Sequence, residues 1–324
     1  MFVRLTFLAS VVGASALALA GCRGPAEASV TASKKKPMVR VVHGWGDNVP
    51  ATKVFREALA ESLKGVDVEV VGTNTSVTNV LMLSRREADV AFTFSDAAYM
   101  ASVGQIPEMP KPFVDIRAIA ELPTRALQIL VGPRSSIRTI SQLRGRHVSL
   151  GPPGSGAALT SAFVLSGFGI SLDDITAERL EFREGADKVV SGDLDAAFWN
   201  GTFPNTNIAE AIRKGARLLE VAGPDIERFR AEYPFLNPSV IPGGTYPGID
   251  RPIHTVGVDG IVVCRADLDE AIVHEITRAF LEVFMRPGID LPAVSHMNVS
   301  RASSTPIPLH PGAARYYREQ ELLR

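Results

Sequence analysis

From residue 39 onward the spacing of apolar positions keeps changing period, and each change marks an element. Residues 39–43 are short and β-branched, and a Gly-Trp-Gly turn follows. Over residues 51–63 the apolar positions Val54, Phe55, Ala58, Leu59 and Leu63 fall on one helical face. Asp47 or Asn48 is placed to cap that helix, with Pro50 in its first turn. The same reasoning predicts strands over 66–71, 89–94, 116–121, 127–131, 147–150 and 194–199. It predicts helices over 77–86, 157–168, 184–191 and 268–285, then an irregular, proline-rich tail. Strands interleaved with helices imply parallel α/β sheets covered on both faces.

The first residues follow another pattern. Met1 to Arg4 carries one positive charge, and residues 5–20 are almost wholly apolar with small residues crowding the end. This is the layout of a secretory signal peptide, too short for a comfortable membrane span. It ends in Leu19-Ala20-Gly21-Cys22, which resembles a bacterial lipobox, so Cys22 is the expected lipidation site. Residues 23–37 are rich in Ala, Ser, Gly and Lys, as a flexible tether is. With Cys22 lipidated, the second cysteine, Cys264, has no disulfide partner. It sits in the run Ile261-Val262-Val263-Cys264, where a buried, inert thiol is expected. No other segment is apolar and long enough to span a bilayer, so a periplasmic or cell-envelope protein held by its lipid is expected.

Composition narrows the function. A length of 324 residues, 46% of them hydrophobic, points to about two domains, and a formal net charge of -1 argues against nucleic acid as a partner. The six histidines show no HxxxH or HExxH spacing, so no metal site is expected. There is no GxSxG elbow, Walker loop or GxGxxG after a strand. Asp193 and Asp195 read as a loop before a buried strand rather than as a catalytic pair. Neither catalysis nor a cofactor is expected.

What remains looks like a binding cleft. Gly151-Pro152-Pro153-Gly154-Ser155-Gly156 joins a strand to a helix that begins at Ala157. Such a loop is either an anion seat of backbone N–H groups at a helix N-terminus or an ordinary tight turn. Thr73, Asn74, Thr75 and Ser76 also lie between a strand and a helix, and six short polar side chains between Thr73 and Asn79 exceed what a cap needs. Ser95 with Asp96 follows another strand, either in the cleft or as a cap. Trp199, Asn200 and Phe203 follow a further strand, as a pocket wall or as core. All of these segments fall at the carboxyl ends of predicted strands, where open α/β sheets bind ligands. Trp45 and Trp199 are candidate cleft walls, and Arg125 is a candidate charge that a surface role would also explain.

Several stretches together resemble the TAXI family, the extracytoplasmic receptors of TRAP transporters. They are Arg86-Glu87-Ala88-Asp89-Val90-Ala91, Ser95-Asp96-Ala97-Ala98-Tyr99, residues 143–151, Pro153-Gly154-Ser155-Gly156 and Tyr233-Pro234-Phe235. The most specific are Ile241-Pro242-Gly243-Gly244-Thr245-Tyr246-Pro247-Gly248 and Pro306-Ile307-Pro308-Leu309-His310-Pro311-Gly312-Ala313. The resemblance implies a two-lobed α/β fold of the type II periplasmic-binding-protein kind. Lobe one would take 39–121 with 255–324, and lobe two 122–254. It implies a small-molecule ligand, an organic anion or amino acid, and a TRAP-type permease as membrane partner. A lipoprotein sensor of the same fold is the alternative. The family's pocket maps onto Thr73 to Ser76, Ser95, Pro153 to Ala157 and Trp199 to Phe203. Three pocket edges depart from the family pattern. The first loop is His43-Gly44-Trp45-Gly46-Asp47-Asn48-Val49-Pro50, Ala157 stands where threonine is usual, and Thr73-Asn74-Thr75-Ser76 replaces a TGGS-like loop. Glutamate is therefore not carried over as the ligand.

Overall fold

The computed structural model describes residues 36–44, 50–73, 75–285 and 298–322. The readings made on the signal segment, Cys22, most of the tether, Trp45, Asn74 and the Asp47/Asn48 cap lie outside these residues.

Chain order runs β1 (Met38–His43), α1 (Pro50–Ser62), β2 (Asp67–Gly72), α2 (Ser76–Ser84), β3 (Val90–Phe94), α3 (Ser95–Val103) and β4 (Ile116–Val131). It continues β5 (His147–Ser149), α4 (Gly156–Gly167), β6 (Thr176–Glu178), α5 (Phe182–Ser191), β7 (Ala196–Gly201), α6 (Thr206–Arg213), β8 (Arg217–Leu219), α7 (Pro224–Glu232) and β9 (Leu236–Ile241). It ends β10 (Ile253–Arg265), α8 (Glu270–Met285) and α9 (Pro311–Glu319).

The strand order β2-β1-β3-β10-β4-β7-β5-β6 contains one pattern twice. β1 pairs parallel with β2 and β3, and β5 pairs parallel with β6 and β7. These are right for βαβ units, whose crossover helices return each strand in the same sense. The expectation of wholly parallel sheets needs correction, because two long strands run against that sense. β10 is antiparallel to β3 and β4, and β4 is antiparallel to β7. Each passes from one half of the sheet into the other, giving the two-lobed α/β fold of the type II periplasmic-binding-protein kind.

β4 is one strand where the sequence predicts two. Thr124, Arg125 and Ala126 continue its pairing with Asp259, Val258 and Gly257. The pattern breaks at Pro123, which has no amide hydrogen for the ladder. The register shifts between Asp259 and Ile261, opposite that proline. Gly260 occupies the bulge, where a Cβ would stand 2.8 Å from Leu122 Cβ.

The predicted irregular tail holds α9. His310 caps it, accepting at Nδ1 from Gly312 N–H at 3.2 Å. Gly312 lets α9 lie on α8, since a Cβ there would overlap the carbonyl of Glu270. Tyr317 Oη then donates to the carbonyl of Ile119 on β4 at 3.0 Å. Beneath α1 and α8, Phe55, Phe92 and Phe280 pack ring on ring, with Phe55 edge-on to both others at 5.2 and 5.7 Å. This matches the apolar face read from residues 51–63.

Candidate functional site

A cleft of about 480 Å³ opens where the carboxyl ends of β3 and β7 face the crossing strands. Among its lining residues are Thr75, Ser76, Arg125, Ser155, Gly156, Ala157, Trp199 and Asn200, all singled out from sequence. Others were not read as cleft residues from sequence, among them Thr93, Phe94, Leu122 and Glu181.

Two loops read separately in the sequence face each other here. Thr75 caps α2, its Oγ1 accepting from Thr78 N–H at 3.2 Å. Gly154, in the left-handed region at φ 68°, is so placed that a Cβ would lie 3.5 Å from Thr75 Oγ1. Ser155 caps α4: its hydroxyl donates to the carbonyl of Pro152 at 2.7 Å and accepts from Ala158 N–H at 3.1 Å. That hydroxyl is therefore occupied within the loop. What the α4 terminus offers the cleft is the N–H groups of Gly156 and Ala157, for which helix geometry supplies no intrahelical acceptor.

Arg125 is a cleft residue, not a surface arginine. Burial pushes its guanidinium down to about 10, which leaves it charged at neutral pH. Glu181, just before α5, brings a carboxylate to the same cavity. Trp199 packs on Phe182, ring centroids 4.3 Å apart and planes tilted by 37°. Its buried Nε1–H has no hydrogen-bond partner among the described residues, and neither has the neighbouring Asn200 Oδ1. Two buried polar atoms without partners, on consecutive residues that both line a cavity, are unusual enough to need a reason.

Other predicted site residues are placed elsewhere. Thr73 Oγ1 donates to the carbonyl of His43 at 3.1 Å and contacts Asn79 Oδ1. Asn79 Nδ2 in turn donates to the carbonyl of Phe92 at 2.7 Å, so the pair ties α2 to β1 and β3. Ser95 is buried behind the cleft, donating to the carbonyl of Phe235 and accepting from Asp259 N–H at 3.2 Å. Pro153 is not among the lining residues; Pro152 is. Phe203 packs, half-buried, against the hydrophobic cluster that includes Phe182 and Ile208.

Residues outside the cleft hold its wall in place. The Tyr246 hydroxyl donates to Gln128 Oε1 at 2.5 Å and accepts from Asn205 N–H at 3.0 Å. Gln128 Nε2 reaches the carbonyl of Thr202 at 3.4 Å. The glycine-rich segment 241–248 thus anchors the chain that follows Asn200. On the far side, Glu121 and Asp259 stand together on the crossing strands, with Arg301 Nη2 at 3.2 Å from Glu121. Burial, and then the Asp259 carboxylate, push Glu121 up to about 8.

No group of three or more potential metal ligands, and no helix long and apolar enough to cross a membrane, is present among the described residues. Residues 53–320 match the model of the NMT1-like family. Among solved structures, the chain resembles PhnD1 from Prochlorococcus marinus in complex with methylphosphonate. The identity is 14%, over 80% of this chain and 88% of that one, with a TM-score of 0.49. It resembles the alkanesulfonate-binding protein SsuA from Xanthomonas axonopodis bound to MOPS at 17% identity, over 76% and 73%, TM-score 0.47. A TctC solute binding protein from Polaromonas matches at 13%, over 78% and 85%, TM-score 0.45.

Proposed function

The chain belongs to the NMT1-like family, and on that footing we propose that it is an extracytoplasmic solute-binding protein that holds a small organic anion between two lobes and catalyses nothing. The observation that carries this reading is the cleft itself. Arg125 on a crossing strand and the start of α4 bring positive potential to one cavity, alongside the single carboxylate of Glu181 among its lining residues, and polar residues of β3, α2 and β7 complete it. We assign lobe one to 39–121 with 255–324 and lobe two to 122–254. On β4 the hinge then falls beside the Pro123 break, and the β10 bulge at Gly260 lies opposite it within lobe one. A ligand that touches Thr75 and Ser76 on one side and Gly156, Trp199 and Asn200 on the other favours the closed form, because only closure offers both sets of contacts. The TAXI-like stretches favour delivery to a TRAP-type permease, and the lipobox favours tethering through a lipid on Cys22.

The test is calorimetric titration of the protein from residue 23 onward with a panel of small carboxylates, phosphonates and sulfonates. Stoichiometric binding of at least one anion, weakened by Arg125→Gln, is the expected result. No heat and no thermal shift with any anion sinks the proposal.

A further inference from the structure

We infer that Thr160 and Asp96 fix the side-chain amide of Asn200 so that its Oδ1 faces the cleft as an acceptor, and that the ligand therefore carries an N–H or O–H donor beside its anionic group. This deepens, and rests on, the cleft reading above.

Asp96 lies fully buried in the first turn of α3. Its Oδ1 accepts from Ala97 N–H at 2.7 Å, and its Oδ2 stands 2.5 Å from Thr160 Oγ1 on α4. Thr160 is also fully buried and has one hydroxyl hydrogen. Although the carbonyl of Gly156 is 2.8 Å away, the shorter contact to the carboxylate claims that hydrogen. Burial raises Asp96 only to about 6, so at neutral pH it is ionised and can only accept. Thr160 Oγ1 then has only lone pairs to offer its next neighbour, Asn200, whose Nδ2 stands 3.0 Å away. A flipped amide would set Oδ1 against those lone pairs. The NH₂ end therefore points to Thr160, and Oδ1 is left on the other side, buried and without a partner among the described residues. Asn200 lines the cleft.

The wall thus presents an acceptor at Asn200 Oδ1, while Trp199, the preceding strand residue, leaves the opposite face of β7 and packs on Phe182. An anion whose skeleton carries an amino or hydroxyl group matches the acceptor. The same anion without that group leaves it dry, which is the arrangement by which binding sites reject analogues most strongly. Asp96 and Thr160 touch no ligand in this account. They are positioning residues, acting through Asn200 from opposite sides of the junction between α3 and α4.

The experiment is titration calorimetry at pH 7.5 with matched acids: malate against succinate, glutamate against glutarate, 3-hydroxybutyrate against butyrate. In at least one pair the donor-bearing acid should bind tenfold or more tightly. Thr160→Val should bring that ratio towards one, Thr160→Ser should keep it, and Asn200→Leu should abolish it even if Thr160→Val fails to fold. A purely structural role would weaken both members of a pair alike and leave the ratio unchanged. Equal binding within every pair, or a ratio that survives both Asn200→Leu and Thr160→Val, overturns the inference while leaving the binding-protein reading intact. If none of these acids binds, the inference is overturned, and the wider anion panel decides whether the binding-protein reading falls with it.

Discussion

Gly156 stands against Phe94 so closely that a Cβ on it would lie 2.2 Å from Phe94 Cδ2. Gly156 opens α4 and Phe94 ends β3, so the absence of one side chain sets how near the two walls of the cleft approach. Gly156→Val puts three carbons into that contact, and either Phe94 turns away or the walls part. Ligand affinity should fall at least tenfold, about 1.4 kcal/mol. The radius of gyration from solution scattering with ligand should stay at its ligand-free value. A variant that binds and closes like the parent would show that the contact is not part of closure.

Arg125 faces a cavity rather than solvent, so its charge is only partly screened. Arg125→Gln should weaken anion binding tenfold to a hundredfold, about 1.5–3 kcal/mol, as expected for loss of a charge-assisted bond. The slope of affinity against salt should flatten as well. Titrations at low and at high salt measure both effects.

Asp96 and Glu121 are carboxyls whose folded pKa lies above the unfolded one, pushed up to about 6 and about 8 chiefly by burial. The native state then holds protons that the unfolded chain has released, so each group lowers stability as pH rises through its window. For Asp96 the window runs from its ordinary value of 3.8 to about 6, and for Glu121 from 4.5 to about 8. Asp96 accounts for a loss on the order of 2–3 kcal/mol across its window. Glu121→Gln should remove much of the decline between pH 5 and 8, and Asp96→Asn that between pH 4 and 6. Urea unfolding at half-unit steps of pH measures this, and parallel curves for parent and variants would refute it.

The Tyr246 hydroxyl braces the segment beyond Asn200 through Asn205 N–H and Gln128. Tyr246→Phe should cost about 1–2 kcal/mol of stability. It should also weaken binding, although Tyr246 is not among the cleft's lining residues. Denaturant midpoints and titration on the same preparation separate the two effects.

Cys264 is fully buried on β10, and burial pushes its thiol strongly up. In protein lacking residues 1–22 it should not react with a thiol reagent until the chain unfolds. Stoichiometric labelling of native protein would contradict the burial.

The sequence disclosed most where one physical rule governed a segment. The apolar face of α1 and the β-branched run of β1 were legible because each buries one side or both. α3 was not, because Ser95, Asp96, Ala97, Ala98, Met100 and Ala101 are all buried and leave no polar face to set a period. β4 read as two strands because Pro123 interrupts a pairing that continues on either side of it. The cleft's polar loops were legible from their position after strands. Yet a polar residue in such a loop can be spent internally, as Ser95, Thr73 and the Ser155 hydroxyl are, and nothing local distinguishes that use. Glu181 and the pairing of Asp96 with Thr160 depend on contacts between distant segments, 64 residues apart in the second case.

Because β10 sits between β3 and β4, its late position in the chain governs the order of assembly. A growing polypeptide has made β1 to β4 long before residues 253–265 exist. Until they arrive, β3 and β4 lack the neighbour that joins them, and their facing edges stay open. Neither half of the sheet can finish before residues 253–265 have been made. The arrival of β10 then brings both halves to completion together.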